Sequence, residues 1–103
     1  MKIKILAKAE KEFDKFPFKV QAKFETMFNL LASGGDLDQI KFKKLKNTNL
    51  FEFRVRNDSN TYRGIAVYIL PDILLTLFFQ KKSQKTPLKF IKTAQQRFKN
   101  YES

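Results

Sequence analysis

The stretch LFEFRVRNDSNTYRGIAVYILPDILLTLFFQ, Leu50 to Gln80, decides the fold. Leu50–Arg56 alternates without a break: Phe51, Phe53 and Val55 point one way, and Glu52, Arg54 and Arg56 the other. Successive side chains of a strand leave on opposite sides, so this is a strand with one apolar and one charged face. Residues 57–60, NDSN, are turn chemistry. Residues 61–70, TYRGIAVYIL, read as the next strand, in which Gly64 marks either a bulge or a close approach of another group. Pro71–Asp72 turns the chain into ILLTLFFQ, which is apolar on both sides and is therefore expected near the centre of the sheet. Short turns between consecutive strands imply an antiparallel meander.

Upstream of this stretch the period changes. Ile3 and Ile5 alternate with Lys2 and Lys4, as in a short edge strand. Phe13, Phe16, Val20, Phe24, Met27, Phe28 and Leu31 then recur at three and four, which makes one apolar helical face. Pro17 interrupts that face and fits the first residue of a second helix, so the spacing predicts a short helix near 8–15 and a longer one near 17–32. Gly34–Gly35 is the stop signal. Ile40–Lys46 is a weaker strand candidate, because Leu45 breaks its phase. Downstream, Thr86–Pro87 reads as N-cap and first helical residue. Leu88, Ile91, Ala94, Phe98 and Tyr101 make the apolar stripe of a last, basic helix that is expected to dock on its own sheet. The whole is an α+β domain spanning residues 1–103: a small antiparallel sheet of three to five strands, two N-terminal helices and one C-terminal helix.

Charge is unevenly spread. Net charge is +11, yet residues 1–40 hold seven Lys against six acids, while residues 41–103 hold fourteen Lys and Arg against four. No acid occurs between Ile73 and Tyr101. This segregation points to a nucleic acid or another polyanion as partner; the competing explanation is solubility alone. No apolar run is long enough for a membrane helix, and residues 1–13 lack the apolar region and cleavage site of a signal peptide, so a cytoplasmic location and no membrane partner are expected. With no His and no Cys, thiolate chemistry, zinc sites and Ser–His pairs are excluded. The three glycines form no phosphate loop, and the carboxylates are not grouped for a divalent metal, so no cofactor and no metal are expected.

A set of cations and one carboxylate on the sheet remains. Glu52 and Arg54 share a face, and Arg63 is expected near Arg54 across the hairpin, its own face depending on whether Gly64 is a bulge. Lys81 and Lys82 end the following strand, and Lys46 precedes the Arg54 strand. Such groups can converge on a phosphate, Arg by bidentate contacts and Lys as a mobile point charge. With RNA the 2′-hydroxyl supplies the nucleophile, so orientation, proton removal and charge stabilisation suffice for metal-free cleavage. Glu52, or a Lys whose pKa is lowered by its cationic neighbours, can take the proton. Glu52 better suits an ion pair holding Arg54, because an acid among cations stays ionised and weakly basic. From spacing alone the reading stops at binding of an RNA or DNA backbone.

Several motifs carry a resemblance. They are Lys44–Leu45–Lys46, Leu50–Phe51–Glu52–Phe53–Arg54, Tyr62–Arg63, the block FQKKSQKTP from Phe79 to Pro87, and Ala94 with Arg97. Together, over Lys44 to Tyr101, they resemble the RelE/HigB superfamily of bacterial toxins, and within it the phage-derived HigB-like group. The resemblance implies an mRNA interferase that cuts mRNA at the ribosome. It also implies a cognate antitoxin encoded adjacently, often with a helix-turn-helix domain. It matches Arg54 and Arg63 to phosphate-contacting positions, Lys82 or its neighbour Lys81 to the basic residue at the end of the last strand, and Lys46 more weakly. The candidate catalytic set is Arg54, Arg63, Lys82 and Glu52, with Lys46, Arg56, Lys81 and Lys85 as RNA contacts. One departure stands out: many relatives carry a Tyr or His just after the last strand or near the C-terminus as general acid, whereas this chain has no His, residues 83–89 hold no Tyr, and Tyr101, the only late candidate, is assigned to packing by its helical spacing. Either Lys or Arg does the proton work, or cleavage is weak; the alternative is a non-catalytic module of the same fold that binds RNA or protein.

Overall fold

The computed structural model describes residues 2–34, 40–69, 71–82 and 85–103. Five strands and three helices follow in the order β1 (Ile3–Ile5), α1 (Ala7–Asp14), α2 (Phe18–Ser33), β2 (Phe42–Lys44), β3 (Leu50–Asn57), β4 (Asn60–Ile69), β5 (Asp72–Lys81) and α3 (Leu88–Glu102). They form an α+β fold with one sheet of strand order β1-β5-β4-β3-β2. The meander β2 to β5 is antiparallel throughout. The first strand departs from that pattern, pairing in parallel with β5 through Ile3↔Ile73 and Ile5↔Leu75. β4, not β5, is the middle strand. β5 has a neighbour on its outer side only over residues 73–75, where β1 covers it.

Pro17 precedes the first residue of α2 instead of occupying it, and Gly34 closes that helix in the left-handed region with φ 73°. Gly35 lies outside the described residues. α1 and α2 pack on one face of the sheet, where Phe13, Phe16 and Phe24 crowd around Phe78, its ring centroid 5.0 Å from that of Phe13 and 5.3 Å from that of Phe24. The Phe stripe is therefore core. α3 packs on the opposite face over Ile65, Val67, Leu74, Leu77 and Phe79, with Ala94 fully buried at the contact. Its stripe is shorter than the spacing implies: Phe90, Ile91, Ala94 and Phe98 touch the sheet, but Leu88 and Tyr101 at the two ends are exposed.

The open half of β5 is closed by side chains. The Phe78 amide donates to Glu12 Oε1 at 3.1 Å, and Arg97 donates to both Glu12 oxygens at 2.9 and 3.0 Å and to the Thr76 carbonyl at 2.9 Å. A fork-to-fork pair thus ties α1 to α3 around a strand edge that would otherwise present unpaired backbone groups. Thr76 itself is a bulge. The β4–β5 register steps from Ile65↔Leu77 to Ala66↔Leu75, leaving Thr76 without a partner, and its hydroxyl donates to the Ile65 carbonyl. Gly64 is not the bulge. It is a close approach: a Cβ there would sit 2.9 Å from the Phe78 ring. The β3–β4 register consequently runs unbroken from Leu50↔Val67 to Asn57↔Asn60.

Candidate active site

On the α3 side of the sheet, facing residues make rows across the strands. The first row is Leu50, Val67 and Leu74, wholly apolar. The second is Lys43, Glu52, Ile65 and Leu77; the third Arg54, Arg63 and Phe79; the fourth Arg56, Thr61 and Lys81. The face thus grades from core to cations, because α3 covers β4 and β5 but leaves the far ends of the strands uncovered. Arg54 and Arg63 stand directly opposite, which on its own would be repulsive.

Glu52 relieves that repulsion. It is 1 % exposed, and its two oxygens have separate partners: Arg63 Nη1 donates to Oε1, and the Thr86 hydroxyl donates to Oε2. The carboxylate therefore holds Arg63, not Arg54, and Thr86 is not the helix cap, since Pro87 occupies that position and Leu88 begins α3. A carboxylate with a guanidinium on one oxygen and a hydroxyl on the other is a fixed strut. Arg54 is exposed and has no carboxylate partner among the described residues.

Lys81 is the unusual group. It is 8 % exposed, and its Nζ, like Arg63 Nε, is buried with no hydrogen-bond partner among the described residues. Buried donors are normally satisfied, so an unpaired one beside other cations suits a site that receives an anion. Burial pushes the Lys81 ammonium below the usual lysine range; the Glu52 carboxylate opposes this, while the positive charges of Arg63, Lys43 and Arg54 add to it. The arrangement holds a lysine readier than usual to give up its proton, next to two guanidinium groups.

Arg54, Arg56, Ser59, Thr61, Arg63, Lys81 and Lys82 line an open cavity of about 400 Å³. A second hollow of about 280 Å³, bounded by Lys41, Lys43, Glu52, Arg54 and Arg63, adjoins it. A third, of about 460 Å³, runs between α2 and β3 past Lys23, Lys41, Arg54 and Arg56, so Arg54 lines all three. Of the residues singled out from sequence, Glu52, Arg54, Arg56, Arg63, Lys81 and Lys82 come together here, with Lys82 exposed at the rim. Lys46 is exposed on the β2–β3 turn and lines neither of the first two cavities. Lys85 is exposed one residue before Thr86, and Ser83 and Gln84 of the same block lie outside the described residues. Sequence reasoning missed Lys43 and Thr86. Lys43 was accessible from alternation, since a strand that buries Ile40 and turns Phe42 towards Phe53 must turn Lys43 towards Glu52. Nothing in the sequence signals the hydroxyl bond of Thr86.

Among the described residues no helix is long and apolar enough to cross a membrane. The fold and this face define a small α+β protein with a cationic cleft built around one buried carboxylate. The family model Phage derived protein Gp49-like (DUF891) matches residues 11–99, and the chain belongs to that family. The family is a RelE/HigB-like toxin family, associated with the toxins of toxin–antitoxin pairs. No curated protein matches the chain.

Proposed function

We propose that residues 1–103 act as one domain, the toxin of a type II toxin–antitoxin pair, and that it is an endoribonuclease cutting translated mRNA at the ribosome. The observation that carries this reading is the Lys81 ammonium, buried and without a hydrogen-bond partner among the described residues, beside Arg63 in a cleft that also carries the exposed cations Arg54, Arg56 and Lys82. Lys81 in its neutral form takes the proton of a ribose 2′-hydroxyl. The 2′-oxygen then attacks phosphorus, the bond to the 5′-oxygen breaks, and a cyclic phosphate and a 5′-hydroxyl result. Arg54 and Arg63 stabilise the charge that builds on the phosphoryl oxygens, and Arg63 is held in place by the Glu52 strut so that it need not reorganise. The Lys82 ammonium, exposed at the rim, supplies a proton to the leaving oxygen. Arg56 and Lys85 contact flanking phosphates. A neighbouring antitoxin, of helix-turn-helix type, neutralises this charged face.

Primer extension on a translated message after induced expression tests the reading. New 5′ ends are expected, and they should vanish in Arg54→Ala. The second reading, a module that binds RNA without cutting, draws on one observation: Tyr101, the late tyrosine, sits at the far end of α3, about 20 Å along the helix from Thr86. Growth arrest without new 5′ ends would select it.

A further inference from the structure

Beyond the phosphate cleft, the end of β5 and the start of α3 enclose a separate hollow of about 310 Å³, lined by Phe79, Gln80, Lys81, Lys82, Pro87, Lys89 and Phe90. That volume lies at the small end of ligand pockets, which run from roughly 300 to 1,000 Å³. Its wall is an aromatic pair: the rings of Phe79 and Phe90 stack with centroids 4.3 Å apart and planes 28° from parallel. Phe79 is buried in the core, whereas Phe90 is half-buried. The Lys89 ammonium lies 5.1 Å from the Phe90 centroid, within cation–π range, at the end of a flexible four-carbon stem.

Lys81 and Lys82 line this hollow and the phosphate cleft alike. A nucleotide whose phosphate meets those lysines from the sheet side therefore has an aromatic wall within the same site on the α3 side. Bases stack on aromatic rings regardless of identity, and cations around the ring favour an electron-rich partner. Three lysines, Lys81, Lys82 and Lys89, line the hollow with this ring, in a stretch without a single acid from Ile73 to Tyr101.

We propose that this hollow is a nucleobase subsite, in which the base next to the bound phosphate stacks on Phe90, displacing the Lys89 side chain from the ring. The inference rests on the nucleic-acid reading of the cleft and adds the place of one base to it. It also accounts for the position of Lys82, which would meet the phosphate that joins this base to the next.

The chain has no Trp, so Phe90→Trp installs a single tryptophan in the wall, excited at 295 nm apart from the three Tyr. Two fluorescein-labelled probes that lack a 2′-nucleophile serve: a 2′-deoxyadenine tetranucleotide and the same backbone without bases. The adenine probe is expected to quench the tryptophan at saturation and the abasic probe to leave it unchanged, while anisotropy reports that both bind. In the full chain, Phe90→Leu keeps an apolar side chain on Phe79 and should weaken the adenine probe about tenfold while leaving the abasic probe unaffected. Unchanged tryptophan emission with an adenine probe that binds, and that is lost from Arg54→Ala, would overturn the subsite and leave the phosphate cleft standing. Equal weakening of both probes by Phe90→Leu would reduce Phe90 to a packing role and also overturn it. Failure of both probes to bind the wild-type chain would bring down the nucleic-acid reading together with the subsite.

Discussion

Replacing Lys81 by Met should make the protein more stable and less active. Met keeps the length and the apolar stem, which already lies in a buried position, and removes the amine. The amine has no hydrogen-bond partner among the described residues, and a buried polar group left unsatisfied costs about 1–3 kcal/mol. Glu52 loses the attraction of the ammonium but keeps its bonds from Arg63 and Thr86, and burial with the repulsion of Arg63, Lys43 and Arg54 outweighs that attraction. A gain of about 1 kcal/mol at pH 7 is therefore expected. In a domain of this size it raises Tm by about 4–8 °C.

The pH dependence identifies the cause. In the unfolded chain Lys81 titrates near 10.5, and in the folded one it does so at lower pH. Between those two values the unfolded state binds more protons, so wild-type stability rises with pH across that window and carries the full penalty below it. The advantage of Lys81→Met should accordingly be largest at neutral pH and shrink as pH climbs towards 10.5. Urea unfolding at a series of pH values measures both variants. Cleavage, followed by primer extension, should fall by a factor of about 10²–10⁴, the usual contribution of a general base. A Met variant that is less stable at pH 7 would refute the argument, since it would mean that the ammonium is satisfied in solution. So would a stability difference that does not change with pH.

Other perturbations separate the parts of the site. Arg54→Ala should leave stability within about 0.5 kcal/mol, because the side chain is exposed and has no carboxylate partner among the described residues, while abolishing cleavage and weakening RNA in a filter-binding assay. Thr86→Val removes a hydrogen bond to a charged group and should cost about 1.5–3 kcal/mol in urea unfolding, with lower cleavage as the Glu52 strut loosens. Gly64→Ala would press a methyl against the Phe78 ring and should cost about 1–3 kcal/mol, with cleavage per folded molecule unchanged. Cleavage by the wild type should rise with pH and level off below the usual lysine range, since burial first, and then Arg63, Lys43 and Arg54, favour the neutral amine.

The architecture was legible where periodicity was strong. The alternation of Leu50–Arg56 and the three-and-four spacing from Phe13 to Leu31 place β3, α1 and α2 within a residue or two of where they lie. α3 was legible too, its start within a residue, but not the packing of its ends, because Leu88 and Tyr101 keep the helical period after the sheet beneath them has ended. Pairings were the harder matter. That Arg54 faces Arg63 follows from the two-residue turn at Asp58–Ser59, but that Glu52 holds Arg63 and not Arg54 is a matter of side-chain reach that spacing does not encode. β1 lies beside β5 in parallel, a contact across seventy residues with no local signal.

The bulge at Thr76 shows why the choice between Lys81 and Lys82 could not be read from a strand pattern. Before it, Ile73 and Leu75 face the α1–α2 side and Leu74 faces α3; after it, Leu77 and Phe79 face α3 and Phe78 faces the other way. The extra residue reverses the parity of the strand. In an unbulged ladder the odd positions would stay on the α1–α2 side, and Lys82 would be the residue turned to the cationic face. With the bulge, Lys81 stands opposite Thr61 in the row of Arg56 and next to the row of Arg54 and Arg63. Apart from Thr76 the stretch from Leu74 to Phe79 is apolar on both sides, so hydrophobic pattern does not distinguish the two parities. What holds the bulge is polar: the Thr76 hydroxyl on the Ile65 carbonyl, and Arg97 of α3 on the Thr76 carbonyl. Arg97, sixteen residues along the chain from Lys81, thus bears on the cationic cleft by fixing which lysine reaches it.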